Sequence, residues 1–362
     1  MSEMSLLDTL NIRTGDALIQ SELGVIGSIQ SCPDGHKVHV FPGSENDLML
    51  LGQLRHPAEV EGSVYKGYGG HGPEDVTRFR ATDAVVAIAH PENKTLEEIR
   101  LIQPELIELY NTHGNLMGLK DGKKWPEVAK NAWNILRHIF NPIVQGDLFF
   151  LSFYREDVDA LSKWADLLSS SRVSAIYGAD SHRNIFDSPV YDGERIDSYR
   201  RTLRWFSNYI WVEGPITREV LMDSLRSGKV LPVNEVFGVP EGFSFQGSVA
   251  KSSDQHKISM SETAQFVPGA TRLHVGLPAI AGGTRKLHTP RIFTVLYRAN
   301  GAQWDMVARA EGASIDVEIT EPGIYRAEAR IIPLHLISYM RTNTKRVKKE
   351  YPWVVSNPIY LE

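Results

Sequence analysis

The 362-residue chain is poor in cysteine, in long apolar runs and in net charge. Cys32 is its single cysteine, which excludes an internal disulfide and leaves histidine and carboxylate as the metal-ligand types present in number. This cysteine usage favours the cytoplasm. The first ten residues, M-S-E-M-S-L-L-D-T-L, lack a basic stretch followed by an apolar core, and no apolar run reaches membrane-spanning length. We therefore expect neither a signal peptide nor a membrane span.

The charge balance is close to neutral. The chain has 39 Lys and Arg against 44 Asp and Glu, a formal net charge of −5 and a sequence pI near 6.2. This balance gives no reason to expect nucleic acid or an anionic membrane as a partner. The one basic run, K-R-V-K-K at residues 345–349, is typical of a solvated surface segment. A small-molecule substrate is the expected partner.

The most informative stretch is S-A-I-Y-G-A-D-S-H-R-N at residues 174–184. The apolar run at 175–177 predicts a buried strand, and two small residues then lead to Asp180 and His182. In an extended segment the side chains at positions i and i+2 point the same way, so these two side chains could converge on one ion or substrate atom. Taken alone, an Asp-x-His triplet is more often a turn aspartate beside a solvated histidine.

A second stretch, A-V-V-A-I-A-H-P-E at residues 84–92, repeats this pattern. A β-rich apolar run again ends in a histidine, His90, which is followed by a proline that restricts its backbone. Two apolar strands that each deliver a metal-type ligand at the carboxyl end are typical of the sites of α/β proteins.

The chain predicts two domains, at residues 1–228 and 229–362. In the first, strand-like and helix-like segments alternate, which favours an α/β fold with a partly parallel sheet or barrel. The second has short alternating strands without intervening helices, which predicts a β-sandwich. Its predicted strands are residues 243–245, 272–275, 291–297, 314–319 and 323–331.

Six motifs carry a family resemblance. The A-H-P-E at 89–92, L-I-E-L-Y-N at 106–111 and G-A-D-S-H at 178–182 resemble successive motifs of the PHP (polymerase and histidinol phosphatase) superfamily of metallohydrolases. The D-S-L-R-S-G-K-V at 223–230, G-I-Y-R at 323–326 and W-V-V-S-N-P-I-Y-L at 353–361 resemble its carbaryl-hydrolase-like CehA/McbA branch. The resemblance implies a (βα)7-type PHP barrel followed by a β-sandwich domain.

The resemblance also implies a set of metal ligands. In chain order they are Glu22, His36 or His39, His90, Asp180 and His182. The Gly-His pattern of the branch favours His36, whereas a strand position before an aromatic residue favours His39, and both stay open. Glu22 could instead be an ordinary surface glutamate. Glu108 and Asn111 match a strand motif whose members mostly support the site.

One departure from the family pattern limits what the resemblance implies. PHP proteins normally open with an H-x-H strand and a T-D-H strand, and neither triplet precedes Glu22 in this chain. We therefore expect a distorted or incomplete barrel and fewer ions than the usual trinuclear cluster. The ion held by Glu22, His36 or His39, and His90 would keep its ligands. Asp180 and His182 would then be left to act as the catalytic groups that move a proton.

The expected function is that of a metal-dependent hydrolase. A divalent zinc, iron or manganese ion would activate a water molecule for attack on a phosphoester, ester or amide bond. His71, on a Gly-rich loop, and Arg183 are weaker candidates for substrate contact.

Two alternatives stay open: a catalytically impaired binding or assembly module, and a fragment whose first strands come from a partner chain. Self-association into a homo-oligomer could cover the strand edges that such a truncation exposes.

Overall fold

The computed structural model describes residues 17–21, 24–112, 133, 145–152, 154–181, 188–251, 254–284, 288–341 and 343–362. The chain divides into two compact units. Unit 1 comprises Met1–Ile107 and Trp211–Ser227, and unit 2 comprises Glu108–Ile210 and Gly228–Glu362. This division shares only the boundary near residue 228 with the two predicted domains, because unit 2 also takes in the middle of the chain.

The helices are short and few for the number of strands. The α-helices with described bounds are α1 (Val64–Gly67), α2 (Pro73–Arg80), α3 (Leu96–Ile102), α4 (Val158–Leu167), α5 (Tyr199–Thr202) and α6 (Arg218–Arg226). Turns of 3-10 helix cover Pro91–Asn93, Gly146–Ser152, Glu235–Phe237, Leu334–Tyr339 and Arg346–Lys348. In the described part of the chain, no helix has the length and apolar character needed to cross a membrane.

Unit 1 begins with a three-stranded antiparallel meander. Its strands are β1 (Ala17–Ser21), β2 (Gly24–Ser31) and β3 (Lys37–Val40), in that order. A Pro-Asp-Gly turn joins β2 to β3, with the amide of Cys32 donating to the carbonyl of His36 at 2.7 Å. Gly35 lies in this turn at φ +87°, a left-handed conformation that favours glycine. The alternating run K-V-H-V-F at residues 37–41 predicts a strand, and β3 covers its first four residues.

The second sheet of unit 1 contains β4 (Gly43–Glu45), β5 (Met49–Leu51), β6 (Val85–Ile88) and the start of β7 (Leu106–Asn111). β4 and β5 form an antiparallel hairpin, and β5 is antiparallel to β6. β6 and β7 run parallel and are connected through α3, with Ala87 opposite Leu106 and Ile88 opposite Ile107. All four residues of β6 are buried, as expected for a continuous apolar strand flanked on both sides.

Helix α6 completes unit 1. The guanidinium of the buried Arg218 donates to the carbonyl of Gly52 at 2.6 Å, and to the carboxylate and the carbonyl of Asp83 at 2.9 and 2.7 Å. Met222 of the same helix occupies the space beside Gly52 that a β-carbon would need. These contacts hold α6 against residues that lie far earlier in the chain.

Unit 2 contains one large sheet. In it β14 (Thr263–Ala264), β22 (Ile359–Leu361), β20 (Gly323–Ile332), β21 (Tyr351–Val355), β10 (Val230–Asn234) and β9 (Phe206–Ile210) lie side by side in that order. β17 (Arg291–Asn300) pairs with β20 and with β18 (Gln303–Glu311). In the same unit, β8 (Ser174–Gly178) neighbours the end of β7.

A four-stranded antiparallel sheet shares its core with the large sheet. Its order is β13 (Asp254–Ser259), β12 (Ser244–Lys251), β15 (Thr271–Gly276) and β19 (Ile315–Glu318). β11 (Pro240–Glu241) and β16 (Ala279–Ile280) form a separate pair. Phe245 and Leu273 of the smaller sheet lie in one apolar cluster with Leu296, Tyr325 and Ile359 of the larger one. Both sheets therefore bury a face in the same core, and strands overlap all five segments predicted for this region.

The S-N-P-I-Y motif has a structural role in unit 2. The side chain of Asn357 is fully buried. Its Oδ1 accepts from the amide of Ala175 at 2.6 Å, and its Nδ2 donates to the carbonyl of Val230 at 2.8 Å. Asn357 thus provides hydrogen-bond partners for backbone groups of both β8 and β10. Buried polar groups generally need such partners.

The predicted (βα)7-type PHP barrel, and with it a TIM-like barrel, is wrong. The described residues are rich in strands that lie in several separate sheets, and unit 1 has antiparallel pairs where a barrel requires parallel ones. The connection β6–α3–β7 is a true strand-helix-strand crossover. The apolar run at 147–154, which predicts a further strand, instead contains the 3-10 helix Gly146–Ser152. Apolar runs reveal burial, but they do not fix the direction or the neighbour of a strand.

Candidate functional site

His90 of unit 1 stands just beyond the carboxyl end of the buried strand β6. Its backbone has φ 51° and ψ 57°, in the left-handed region that residues other than glycine rarely occupy. Pro91 follows and begins the 3-10 helix Pro91–Asn93. His90 keeps 22% of its side-chain surface exposed, so the ring is accessible from solvent while its backbone is firmly placed.

Each ring nitrogen of His90 faces a carboxylate. Nδ1 lies 3.2 Å from Oε1 of Glu92, and Nε2 lies 3.5 Å from Oε1 of Glu45. The Glu92 side chain is 5% exposed and that of Glu45 is 35% exposed. When Nδ1 carries the proton and donates it to Glu92, Nε2 presents its lone pair on the side of Glu45. Metal-binding histidines commonly show this arrangement, with one nitrogen on the metal and the other hydrogen-bonded to a carboxylate.

The β4–β5 hairpin positions Glu45. Glu45 is the last residue of β4 and lies opposite Met49 of β5, which in turn lies opposite Ala87 of β6. The register of two antiparallel pairs thus sets the distance between Glu45 and the end of β6. Leu48, in the turn of the hairpin, is buried and accepts a backbone hydrogen bond from Asn46 at 3.1 Å, which closes this turn.

The Gly-rich loop, residues 65–73, is hydrogen-bonded to the same turn. The amide of Gly70 donates to Oδ2 of Asp47 at 2.8 Å. From the other side, Arg78 donates to the carbonyls of Gly67 and Gly69, both at 2.8 Å. His71 lies in this loop with an exposed side chain. These hydrogen bonds hold residues 67–70 of the loop beside Asp47, two residues after Glu45.

His36 and His39 lie in the meander of unit 1. His36 is in the β2–β3 turn with 83% of its side chain exposed, and its Nδ1 lies 3.1 Å from Oδ1 of Asp34. The backbone hydrogen bond from His36 lowers the pKa of the Asp34 carboxyl. His39 is on β3 opposite Ile29, with its ring centroid 6.4 Å from that of Phe41. Among the described residues, neither histidine belongs to a group of three possible metal ligands.

Glu22 and His182, two further members of the predicted ligand set, lie outside the described residues, as does Arg183. Asp180 lies in unit 2, two residues beyond β8, with φ 45°. The neighbouring Ser181 hydroxyl is 2.6 Å from that of Thr202. The predicted ligand set as a whole, and the catalytic role of Asp180 and His182, therefore stay predictions.

A second polar cluster in unit 2 contains the other motif residues. Oε2 of the buried Glu108 accepts a hydrogen bond from Nδ2 of Asn111 at 2.9 Å, so both residues of the L-I-E-L-Y-N strand engage each other. A β-carbon on Gly178 would overlap Oε1 of Glu108. The glycine of G-A-D-S-H is thus required by the close approach of a carboxylate from the neighbouring strand.

Two residues of the candidate site were missed in the sequence, Glu45 and Glu92. Glu92 carries a signal, because it stands two residues after His90 in A-H-P-E, with a proline fixing the turn between them. Glu45 carries none. It lies in a polar stretch, G-S-E-N-D, and only the pairing of β4 with β5 and of β5 with β6 brings it to His90.

No protein-family model matches the chain, and neither a curated protein nor a solved structure is significantly similar to it. The resemblance to the PHP superfamily therefore stays a prediction drawn from short motifs.

Proposed function

We propose that the chain is a metal-dependent hydrolase in which Nε2 of His90 and a carboxylate oxygen of Glu45 bind one divalent ion. The observation that carries the proposal is the geometry at His90, where one ring nitrogen is hydrogen-bonded to a buried carboxylate and the other faces an accessible one. One imidazole and one carboxylate suit zinc, iron or manganese. They also leave coordination positions for water and for further ligands.

Hydrolysis is the reaction that best fits such an ion. A bound divalent ion lowers the pKa of its water towards neutrality and polarises a carbonyl or phosphoryl oxygen. The substrate would be a small molecule with a phosphoester, ester or amide bond. The family resemblance supplies Asp180 as a further ligand or proton-transfer group, and this role is part of the proposal. So is a cytoplasmic location, which the single cysteine favours.

Metal analysis tests the proposal directly. We expect the purified protein, after loading with zinc or manganese and gel filtration, to retain a stoichiometric ion that is lost in His90→Ala and held more weakly in Glu45→Gln. His274→Ala, which changes a partly buried histidine of unit 2, is the matched control and should bind like the wild type. His36→Ala and His39→Ala, measured in parallel, test the two predicted ligands that lie in the meander.

Activity is tested with generic substrates. The loaded wild-type protein should hydrolyse an aryl phosphate or an aryl ester, and chelation or His90→Ala should abolish the reaction. A folded protein that takes up no divalent ion would contradict the proposal and favour the alternative of a non-catalytic binding or assembly module. Metal binding that His90→Ala leaves unchanged would refute the assignment of His90.

A further inference from the structure

We infer that Glu92 is a positioning residue that fixes the tautomer and orientation of His90, so that Nε2 is the nitrogen that binds the metal. This inference rests on the proposed metal site and adds a residue to it that does not itself touch the ion. Three features of the described geometry support it: the local backbone, the difference in burial between the two carboxylates, and the distances to the ring.

The backbone fixes the spacing between His90 and Glu92. Pro91 has a restricted φ, and the 3-10 turn is closed by the amide of Asn93 donating to the carbonyl of His90 at 2.9 Å. The amide of Lys94 donates to the carbonyl of Pro91 at 3.3 Å. The backbone of His90 is left-handed, a strained conformation for a residue with a side chain, and such conformations cluster at functional sites. The turn thus holds the Glu92 carboxylate in reach of Nδ1.

The carboxylates of Glu92 and Glu45 differ in exposure to solvent, as expected if Glu92 orients the ring and Glu45 binds the ion. Glu92 is 5% exposed, so its carboxylate is withdrawn from solvent. Glu45 is 35% exposed on the opposite side of the ring. An ion that arrives from solvent would therefore meet Glu45 and Nε2, while Glu92 stays behind the ring. The distance of 3.2 Å between Nδ1 and Oε1 of Glu92 is that of a hydrogen bond, whereas the 3.5 Å between Nε2 and Glu45 is longer.

A pair of nearly isosteric substitutions tests the role of Glu92. Glu92→Gln keeps an oxygen that can accept the Nδ1 proton, and Glu92→Met keeps the volume but removes the acceptor. Zinc affinity is measured by competition with a chromophoric chelator. We expect Glu92→Met to weaken zinc binding by about 10- to 100-fold, the usual effect of losing such a partner, and Glu92→Gln to stay within about 10-fold of the wild type. Glu97→Met, on the exposed first turn of α3, is the control and should change nothing.

The outcomes separate this inference from the proposed function. If the wild type binds no zinc, the proposed function fails and the inference falls with it. If the wild type binds and both Glu92 variants bind equally well, or are equally weakened, only the positioning role is overturned.

If Glu92→Met does not fold, nitrogen NMR of the zinc-loaded wild type decides. A proton on Nδ1 of His90 with the metal on Nε2 supports the inference, and the reverse tautomer refutes it.

Discussion

Gly178 illustrates how one residue constrains the polar cluster of unit 2. The space that its β-carbon would fill is taken by the carboxylate of Glu108, which also accepts the hydrogen bond from Asn111. A side chain at position 178 would push the Glu108 carboxylate away and break this bond. The glycine is thus needed for packing, not for a special backbone conformation, since its φ is not positive.

Gly178→Ala should therefore lower the free energy of unfolding by about 1–3 kcal/mol, the usual cost of overpacking a filled core. Urea unfolding followed by circular dichroism measures the loss. In the double variant with Glu108→Ala the obstructing carboxylate is gone, so the two losses should add to more than the loss of the double variant. Strict additivity of the two single losses would show that the carboxylate is not what excludes the methyl group.

At the scale of single residues, only part of the candidate site could be predicted from the sequence. His90 was found because an apolar run ends on it, and Glu92 stands in the same motif. Both are local features of the chain. Glu45 was not found, because its approach to His90 depends on the register of two strand pairs.

Among the elements, helix α5 depends on ion pairs for its place. A helix of four residues has almost no stability of its own. Arg200 of this helix donates to Oδ1 of Asp147 at 2.6 Å and to Oε2 of Glu194 at 2.9 Å. Arg201, which is buried, pairs with Asp192. These ion pairs connect α5 to the 3-10 helix at Gly146–Ser152 and to the loop that directly precedes α5.

This network predicts a loss of stability in acid. Hydrogen bonds from Arg200 outweigh the opposing effect of burial and lower the pKa of Glu194 from 4.5 to about 2. Because the folded-state pKa lies below the unfolded value, the contribution is complete above pH 4.5 and is lost as the pH falls towards 2. Urea unfolding across this range should show a shallower pH dependence for Glu194→Gln than for the wild type.

Glu241→Gln, which changes an exposed glutamate on β11, is the control for this series and should follow the wild type. Identical slopes for the wild type and Glu194→Gln would mean that the ion pair does not persist in solution. Because Glu194 is near the surface, its ion pairs are screened by solvent, and the effect should shrink at high salt.

Several elements were predicted well, and their arrangement was not. The strands β6, β7, β8, β15, β17 and β20 were all located from apolar or alternating runs. The pattern of burial is local and can be read directly. The direction in which β5 meets β6, by contrast, is decided by the hairpin that precedes it, and an antiparallel pair there rules out the barrel.

The balance of charge over the whole molecule gives a further prediction. A chain with a net charge of −5 has no excess of cations to neutralise phosphates, which dominate binding to nucleic acid. We expect the protein to pass through a heparin column at physiological salt without retention, and to leave the mobility of duplex DNA unchanged. Retention that salt reverses would show that a local basic surface outweighs the net charge.

Self-association, also predicted for the whole chain, is tested separately by analytical ultracentrifugation.

The sequence by itself determined the single cysteine, the near-neutral charge, the buried strands and the strand-terminal position of His90, because each depends on composition or on neighbours a few residues apart. Only the tertiary structure decided the antiparallel pairing in unit 1, the division into two units and the meeting of Glu45 with His90. These features depend on contacts between residues far apart in the chain, and several strand orders can bury the same apolar segments equally well.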